Sequence, residues 1–162
     1  MIEWIAWVNE PAPVIVRANK IKYRAEARVA SLPGAVPMPG FPGFYIVKET
    51  PLGLLDEGIC YAQDPSTSLA PILLAPEKHQ TVLDACAAPG GKTAHLAQLM
   101  NNHGQILAVD SVDKRVQRLH GNLKNLGVHI AETLRHDWLA GPLPDFYQQR
   151  FPNGFDRILL DA

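Results

Sequence analysis

Short apolar runs that end on an aspartate and alternate with helix-length segments constrain this chain more than any other feature. Thr81-Val82-Leu83-Asp84 leads through a glycine-rich turn into a helical pattern over 92–100. Ile106-Leu107-Ala108-Val109 ends at Asp110 and leads into a second helix, in which Val116, Leu119, Leu123 and Leu126 share one face. Gly127 supplies a left-handed stop to that helix. Residues 129–134 read as a weaker third strand, and Arg157-Ile158-Leu159-Leu160 as a fourth. Strands separated by helices at this spacing predict a parallel α/β sheet wound by right-handed crossovers.

In open sheets of that kind ligands sit beyond the carboxyl ends of the strands. Asp84, Asp110, Asp137 and Asp161 all fall at or shortly after predicted strand ends. The connection after the first strand reads Asp84-Ala85-Cys86-Ala87-Ala88-Pro89-Gly90-Gly91-Lys92-Thr93. Paired glycines let the backbone turn tightly and approach a ligand, and the helix that follows directs unpaired N–H groups into the same space. A P-loop would need a glycine where Cys86 stands, and the dinucleotide pattern G-x-G-x-x-G is absent. S-adenosylmethionine has no pyrophosphate to cradle and needs only the shorter turn. Asp110, twenty residues after Gly90, is placed to accept from both ribose hydroxyls. Asp137 is placed to accept from the adenine amino group, and Asp161 to lie beneath the sulfonium and amino end. Singly, Asp110 and Asp137 also suit helix caps. Asp145 and Asp156 read as solvated loop residues, and Cys86 as a small packing residue rather than a nucleophile.

Residues 1–60 differ in texture. Gly–Pro punctuation from Leu32 to Gly43 lies between the strand-like runs Val14-Ile15-Val16 and Phe44-Tyr45-Ile46-Val47, with a short helix expected over 21–30, which makes a compact β-α-β-like unit. Bulk charge names no partner, with 15 basic against 16 acidic side chains. Locally, Arg17, Lys20, Lys22, Arg24 and Arg28 face only Glu26 over 17–28, which suits phosphate contact with RNA; the plainer reading is a solvated helix face. Tyr23 and Tyr45 read as packing residues with stacking on bases as the alternative. Lys114, Arg115 and Arg118 read as an exposed helix face, and Trp4 and Trp7 as cover for apolar surface. With two cysteines, no leader-like segment and no apolar run long enough to span a bilayer, the expected setting is a reducing cytoplasm, with no membrane and no metal as partner.

The residues then become recognisable. The string Asp84 to Thr93 closely resembles the cofactor loop of the Sun/NOP family of RNA 5-methylcytosine methyltransferases. Gln63-Asp64-Pro65-Ser66-Thr67-Ser68 resembles that family's approach to the domain, Asn122 to Gly127 its second-helix ending, and Phe155-Asp156-Arg157-Ile158-Leu159-Leu160-Asp161-Ala162 the start of its F-D-x-I-L-x-D-A-P-C strand and turn. The resemblance runs from about residue 10 to the last residue. It implies a partial Rossmann-like, S-adenosylmethionine-dependent methyltransferase sheet over 61–162, preceded over 1–60 by a small α+β accessory unit like an RNA-recognition motif (RRM-like). It implies that Cys86, Ala87, Ala88, Pro89, Gly90, Gly91, Lys92, Asp110, Asp137 and Asp161 contact the cofactor, and that the substrate is RNA, ribosomal in bacterial members. Members continue past the position of Ala162 with Pro-Cys and carry a second cysteine later, and many bacterial relatives place a helical region upstream. Their chemistry adds a cysteine thiolate to carbon 6 of cytosine before carbon 5 attacks the methyl group. Cys60 and Cys86 match neither position, so the expectation is a truncated chain that is inactive by itself and, with an apolar fourth strand on an open edge, marginally stable. The alternatives are a non-catalytic RNA- or cofactor-binding module and a P-loop nucleotide hydrolase.

Overall fold

The computed structural model describes residues 12–161, which form two four-stranded sheets with helices packed against them. In the first sheet β1 (Val14–Ala18) pairs antiparallel with β3 (Phe44–Val47) and with β4 (Cys60–Ala62), and β2 (Val36–Pro37) lies outside β3. The strand order is β2-β3-β1-β4, so the β-α-β reading is extended by two short strands that lacked an apolar run long enough to be seen. Helix α1 (Ala25–Ala30) is shorter than expected: Lys20 to Arg24 make turns, and Arg24 enters the helix in the left-handed region. A further helix, α2 (Leu52–Asp56), precedes β4. Val16, Ala18, Ala25, Val29, Tyr45, Val47, Ile59 and Cys60 form the core of this unit. The boundary expected between residues 60 and 61 falls within β4.

The second sheet is parallel throughout, as the alternating pattern requires, with order β7-β6-β5-β8. Its strands are β5 (Thr81–Asp84), β6 (Gln105–Asp110), β7 (Ala131–Arg135) and β8 (Arg157–Leu159). Between them lie α4 (Gly91–Leu99), α5 (Asp113–Asn125) and α6 (Asp145–Arg150), while α3 (Leu69–Leu74) precedes β5. The period-2 alternation of a strand sends Val82, Ile106 and Ala108 to one face, against Leu96, Ala97, Met100, Leu119, Leu123 and Leu126. Leu83, Leu107 and Val109 face the other side, against Leu134, Leu143, Tyr147, Phe151 and Phe155. Both faces of the buried parallel sheet are therefore covered. Asp145, expected in a loop, opens α6, and Asp156 accepts a hydrogen bond from the Thr81 amide (2.7 Å) at the base of β5. A 3-10 turn, Pro65–Ser68, capped by Asp64, leads into α3 with Pro71 in its first turn, where a missing N–H costs nothing. Trp4 and Trp7 lie outside the described residues, as does Ala162. Among the described residues no helix is long and apolar enough to cross a membrane.

Asn19, fully buried just past β1, joins the two sheets. Its amide nitrogen donates to the carbonyls of Gly58 and Leu126 (both 2.8 Å), and its oxygen accepts from Gln98 Nε2 (3.0 Å) and the Ile21 amide (3.1 Å). Every donor and acceptor site of the side chain is used.

Candidate functional site: the loop from Asp84 to Lys92 and the carboxylates around it

The loop after β5 is held by the neighbouring strands. Ala85 N donates to Leu159 O of β8 (2.9 Å) and Ala87 N to Val109 O of β6 (2.8 Å), so the first loop residues continue the sheet before the chain turns. Gly90 makes the turn at φ +108°, a conformation that L side chains rarely adopt. A Cβ there would lie 2.9 Å from Leu119 Cδ1, and one at Gly91 would lie 2.8 Å from Tyr61 Cε1. The paired glycines thus allow close packing of the loop against α5 on one side and β4 on the other.

Two side chains of α5 fasten the turn: Asn122 Nδ2 donates to Pro89 O (2.8 Å) and Arg115 Nη2 to Ala88 O (3.0 Å). Arg115 also pairs with Asp110 Oδ2 (3.3 Å). Its helical periodicity places it on the solvent side and it is indeed 56% exposed, yet its head group turns back to the loop, which a helical wheel does not show. From the first sheet, Arg17 reaches the same loop: Nε donates to Gln63 Oε1 (2.8 Å) and Nη2 to Gly91 O (3.1 Å). Arg17 is 2% exposed, and burial lowers its pKa to about 10. It therefore leaves the expected RNA-facing group, because phosphate contact needs a guanidinium open to solvent. β1 runs on through Ala18 and alternation turns Arg17 inward. Lys20 and Arg24 are exposed, Lys22 is half-buried, and Arg28 is held by Glu57 in a two-bond contact (2.7 and 3.0 Å).

The four strand-end aspartates have different surroundings. Asp84 is buried under the loop and accepts from Thr93 Oγ1 (2.6 Å). Burial pushes its carboxyl up to about 6, against the pull of Thr93 and Lys92. Asp110 is buried at the end of β6 and accepts from the amides of Val112 (3.2 Å) and Ala88 (3.3 Å). Asp137 caps the 3-10 turn Trp138–Ala140 by accepting from the Leu139 amide (3.0 Å). Asp161 pairs with Lys92 across the mouth of the loop (2.5 Å).

Asp110, Asp137 and Asp161 line one cavity of about 410 Å³ with Ala85, Cys86, Ala88, Lys92, Ser111, Arg115, Trp138 and Leu139. Its size is that of a small-molecule site. Of the expected contact residues, Cys86, Ala88, Lys92, Asp110, Asp137 and Asp161 face this cavity. Ala87, Pro89 and Gly91 face a neighbouring cavity of about 240 Å³, which shares Cys86, Ala88 and Lys92 and is bounded by Tyr61, Gln63, Asp64 and Thr67. Gly90 lines neither; it packs under α5. Ala85, Ser111, Arg115, Trp138 and Leu139 are additional wall residues. For Ser111, Trp138 and Leu139, adjacency to Asp110 and Asp137 was the available signal.

Neither cysteine is poised as a nucleophile. Burial pushes the Cys60 thiol up to about 11. Cys86 is raised by burial and then by Asp110 and Asp84, so the carboxylates around it hold it as a thiol. His95 lies buried behind the loop on α4, its pKa lowered to about 3 by burial and by Arg17 and Lys20.

The same stretch of chain is found in known proteins. It is 34% identical, over its full length, to the human 28S rRNA (cytosine(4447)-C(5))-methyltransferase, of which it spans 20%. It is also 34% identical over 99% of its length to a tRNA (cytosine(49)-C(5))-methyltransferase of Pyrococcus abyssi, of which it spans 52%. A solved structure described as a methyltransferase homolog protein from Pyrococcus horikoshii superposes on 94% of this chain and 51% of its own, with a TM-score of 0.76 and 30% identity. Residues 71–162, more than half of the chain and including the whole loop and all four strand-end aspartates, match the family described as 16S rRNA methyltransferase RsmB/F, and to that family the chain belongs.

Proposed function

We propose that this chain provides the S-adenosylmethionine-binding part of an RNA cytosine-5 methyltransferase. The observation that carries the reading is the convergence of Asp110, Asp137, Asp161 and the Cys86–Lys92 loop on one cavity at the carboxyl ends of the parallel strands. The residues fit the cofactor. Asp110 Oδ2 is engaged by Ala88 and Arg115, while Oδ1 accepts from the Val112 amide alone and keeps a lone pair for a ribose hydroxyl, and the oxygen of Asp137 not used in capping suits an exocyclic amine. Asp161 and Asp84 place negative charge on the side where a sulfonium and an ammonium belong, and Lys92 offers a partner for a carboxylate. The bound cofactor supplies an electrophilic methyl group; the chain's own side chains bind, orient and neutralise.

Isothermal calorimetry with S-adenosylmethionine and S-adenosylhomocysteine tests this directly. Saturable heat from both, weakened at least about tenfold by Asp110→Asn, supports the reading. A natively folded chain that gives no heat with either refutes it. ATP with magnesium serves as the control for the P-loop alternative and is expected to give none.

The acceptor is proposed to be RNA, with Lys20, Lys22 and Arg24 as phosphate contacts and Tyr23 beside them, its ring under the Arg24 guanidinium at 5.2 Å. Binding through such contacts weakens linearly in log–log salt plots, and each lysine changed to Gln lowers the slope by about 0.7–0.9. The protonated state of Cys60 and Cys86 supports binding without turnover by this chain alone. Methyl transfer to RNA that depends on either thiol would overturn that part.

A further inference from the structure

We propose that the groove between the open edge of β4 and helix α5 holds one unpaired nucleotide of the RNA acceptor, near the nucleotide that receives the methyl group. This rests on the reading that the acceptor is RNA.

β4 is the outer strand of the first sheet, and its pairing with β1 fixes where its main chain points. Asn19 N donates to Ile59 O (2.8 Å) and Gln63 N to Ile15 O (3.2 Å), with Arg17 opposite Tyr61 in the same register. Hydrogen-bonded and non-bonded residue pairs alternate along an antiparallel ladder. The N–H and C=O of Cys60 and Ala62 therefore point away from β1, and among the described residues no further strand takes them up. They open on a cavity of about 320 Å³, with Cys60, Tyr61 and Ala62 on one side and Arg118, Asn122 and Asn125 of α5 on the other.

The three α5 residues recur at intervals of four and three and so share one face of the helix. Arg118 is exposed, and no carboxylate lies among the described residues that line the groove. Asn122 and Asn125 commit their nitrogens to Pro89 O (2.8 Å) and Leu55 O (2.9 Å), which leaves their oxygens as acceptors. A guanidinium without a carboxylate calls for an anion. The outward N–H and C=O of one strand residue, a donor beside an acceptor, match the neighbouring acceptor and donor on the rim of a nucleobase, a rim that is free only when the base is unpaired. A peptide strand is the ordinary partner of an open edge, but this edge is three residues long and a helix stands opposite it. A nucleotide supplies both features, a phosphate for Arg118 and a base rim for β4. Position agrees with this. Tyr61 and Ala62 also bound the 240 Å³ cavity, which shares Cys86, Ala88 and Lys92 with the cofactor cavity, so an RNA strand leaving the transfer point can follow β4 from one to the other.

The test uses the full chain with a fluorescein-labelled, unstructured RNA oligonucleotide and the duplex made from it, followed by anisotropy as salt is raised. Arg118→Gln is expected to weaken binding of the single strand at least about fivefold and to lower its salt slope by about 0.7, with duplex binding unchanged. The thermal midpoint stays where it was, because the guanidinium is in water. Ala62→Pro removes an outward N–H without touching the ladder to β1, and it also weakens the single strand. Should that variant fail to fold, hydrogen exchange in the parent decides. The single strand is expected to slow the Cys60 and Ala62 amides at least about tenfold and to leave Tyr61, whose amide faces β1, nearly unchanged. If RNA binds but Arg118→Gln matches the parent and those two amides exchange as before, the inference is wrong while the RNA reading stands. Equal losses on duplex and single strand would also overturn it, since an unpaired base would then play no part. If the folded parent binds neither RNA, both fall.

Discussion

Asn19→Ala is the perturbation whose cost can be worked most fully from the structure. The change removes four hydrogen bonds, two donated to Gly58 O and Leu126 O and two accepted from Gln98 Nε2 and the Ile21 amide. Residue 19 is fully buried, and Gly58 and Leu126, whose carbonyls it partners, are buried as well. Leaving a buried polar group without a partner costs about 1–3 kcal/mol, so the two carbonyls alone imply about 2–6 kcal/mol, and the other two bonds add to it. Against a total stability of about 5–15 kcal/mol the loss is large enough to loosen one sheet from the other. Urea denaturation followed by circular dichroism is expected to show an early, broadened transition, with faster exchange of the residue 19 amide, which donates to Ile59 O (2.8 Å). Asn19→Asp should be worse at neutral pH, because a carboxylate would face two carbonyl oxygens, and should recover partly on acidification as the protonated acid regains a donor. An alanine variant that loses under about 1 kcal/mol, with exchange unchanged, would refute the reasoning.

Three further outcomes are expected. Gly90→Ala puts a side chain at φ +108° and 2.9 Å from Leu119 Cδ1; a loss of about 2–3 kcal/mol and of the thermal shift induced by S-adenosylhomocysteine should accompany it, and a normal shift would contradict the proposed role of the turn. Arg115→Ala should leave the unfolding midpoint in urea nearly where it was, since the guanidinium is more than half exposed and the buried Asp110 keeps its bonds from the Ala88 and Val112 amides, while calorimetry records weaker cofactor binding because Ala88 O and Asp110 lose a shared partner. His95 is held neutral with its pKa lowered to about 3, so its contribution is fully present above its ordinary range near 6.5 and is lost as pH falls from there towards 3. Asp84, raised to about 6, acts in the opposite sense and costs stability as pH rises through that value. His95→Leu should therefore gain on the parent by about 1.4 kcal/mol per pH unit below 6.5 in denaturation series run from neutral to acid. A constant difference between the two would contradict the assignment.

The second sheet was legible in the sequence because its signals are local. β5 and β6 are apolar runs closed by an aspartate, β8 is a short apolar run ahead of Asp161, and only β7, Ala131 to Arg135, is mixed in polarity; α5 has an uninterrupted apolar face, and the paired glycines sit where a turn demands them. The aspartates could be placed because a parallel sheet puts its strand ends on one side. What stayed hidden depends on partners distant in sequence. β4 is three residues long and exists through its pairing with β1, so Cys60-Tyr61-Ala62 carries no strand signal of its own. Arg17 looks like the first cation of a basic run until β1 is extended by two residues and turns it inward towards Gln63 and Gly91. Arg115 occupies a solvent position by periodicity, and only the path of the loop beneath shows what its guanidinium holds.

Because Arg17 and Gln63 connect the first sheet to the carbonyl of Gly91, that sheet works as a brace under the mouth of the cavity as well as a candidate surface for nucleic acid. Trimming the protein to its parallel sheet would remove a strut from the part most in need of rigidity. Any engineered exchange of accessory units between relatives has to carry this guanidinium and its glutamine across together.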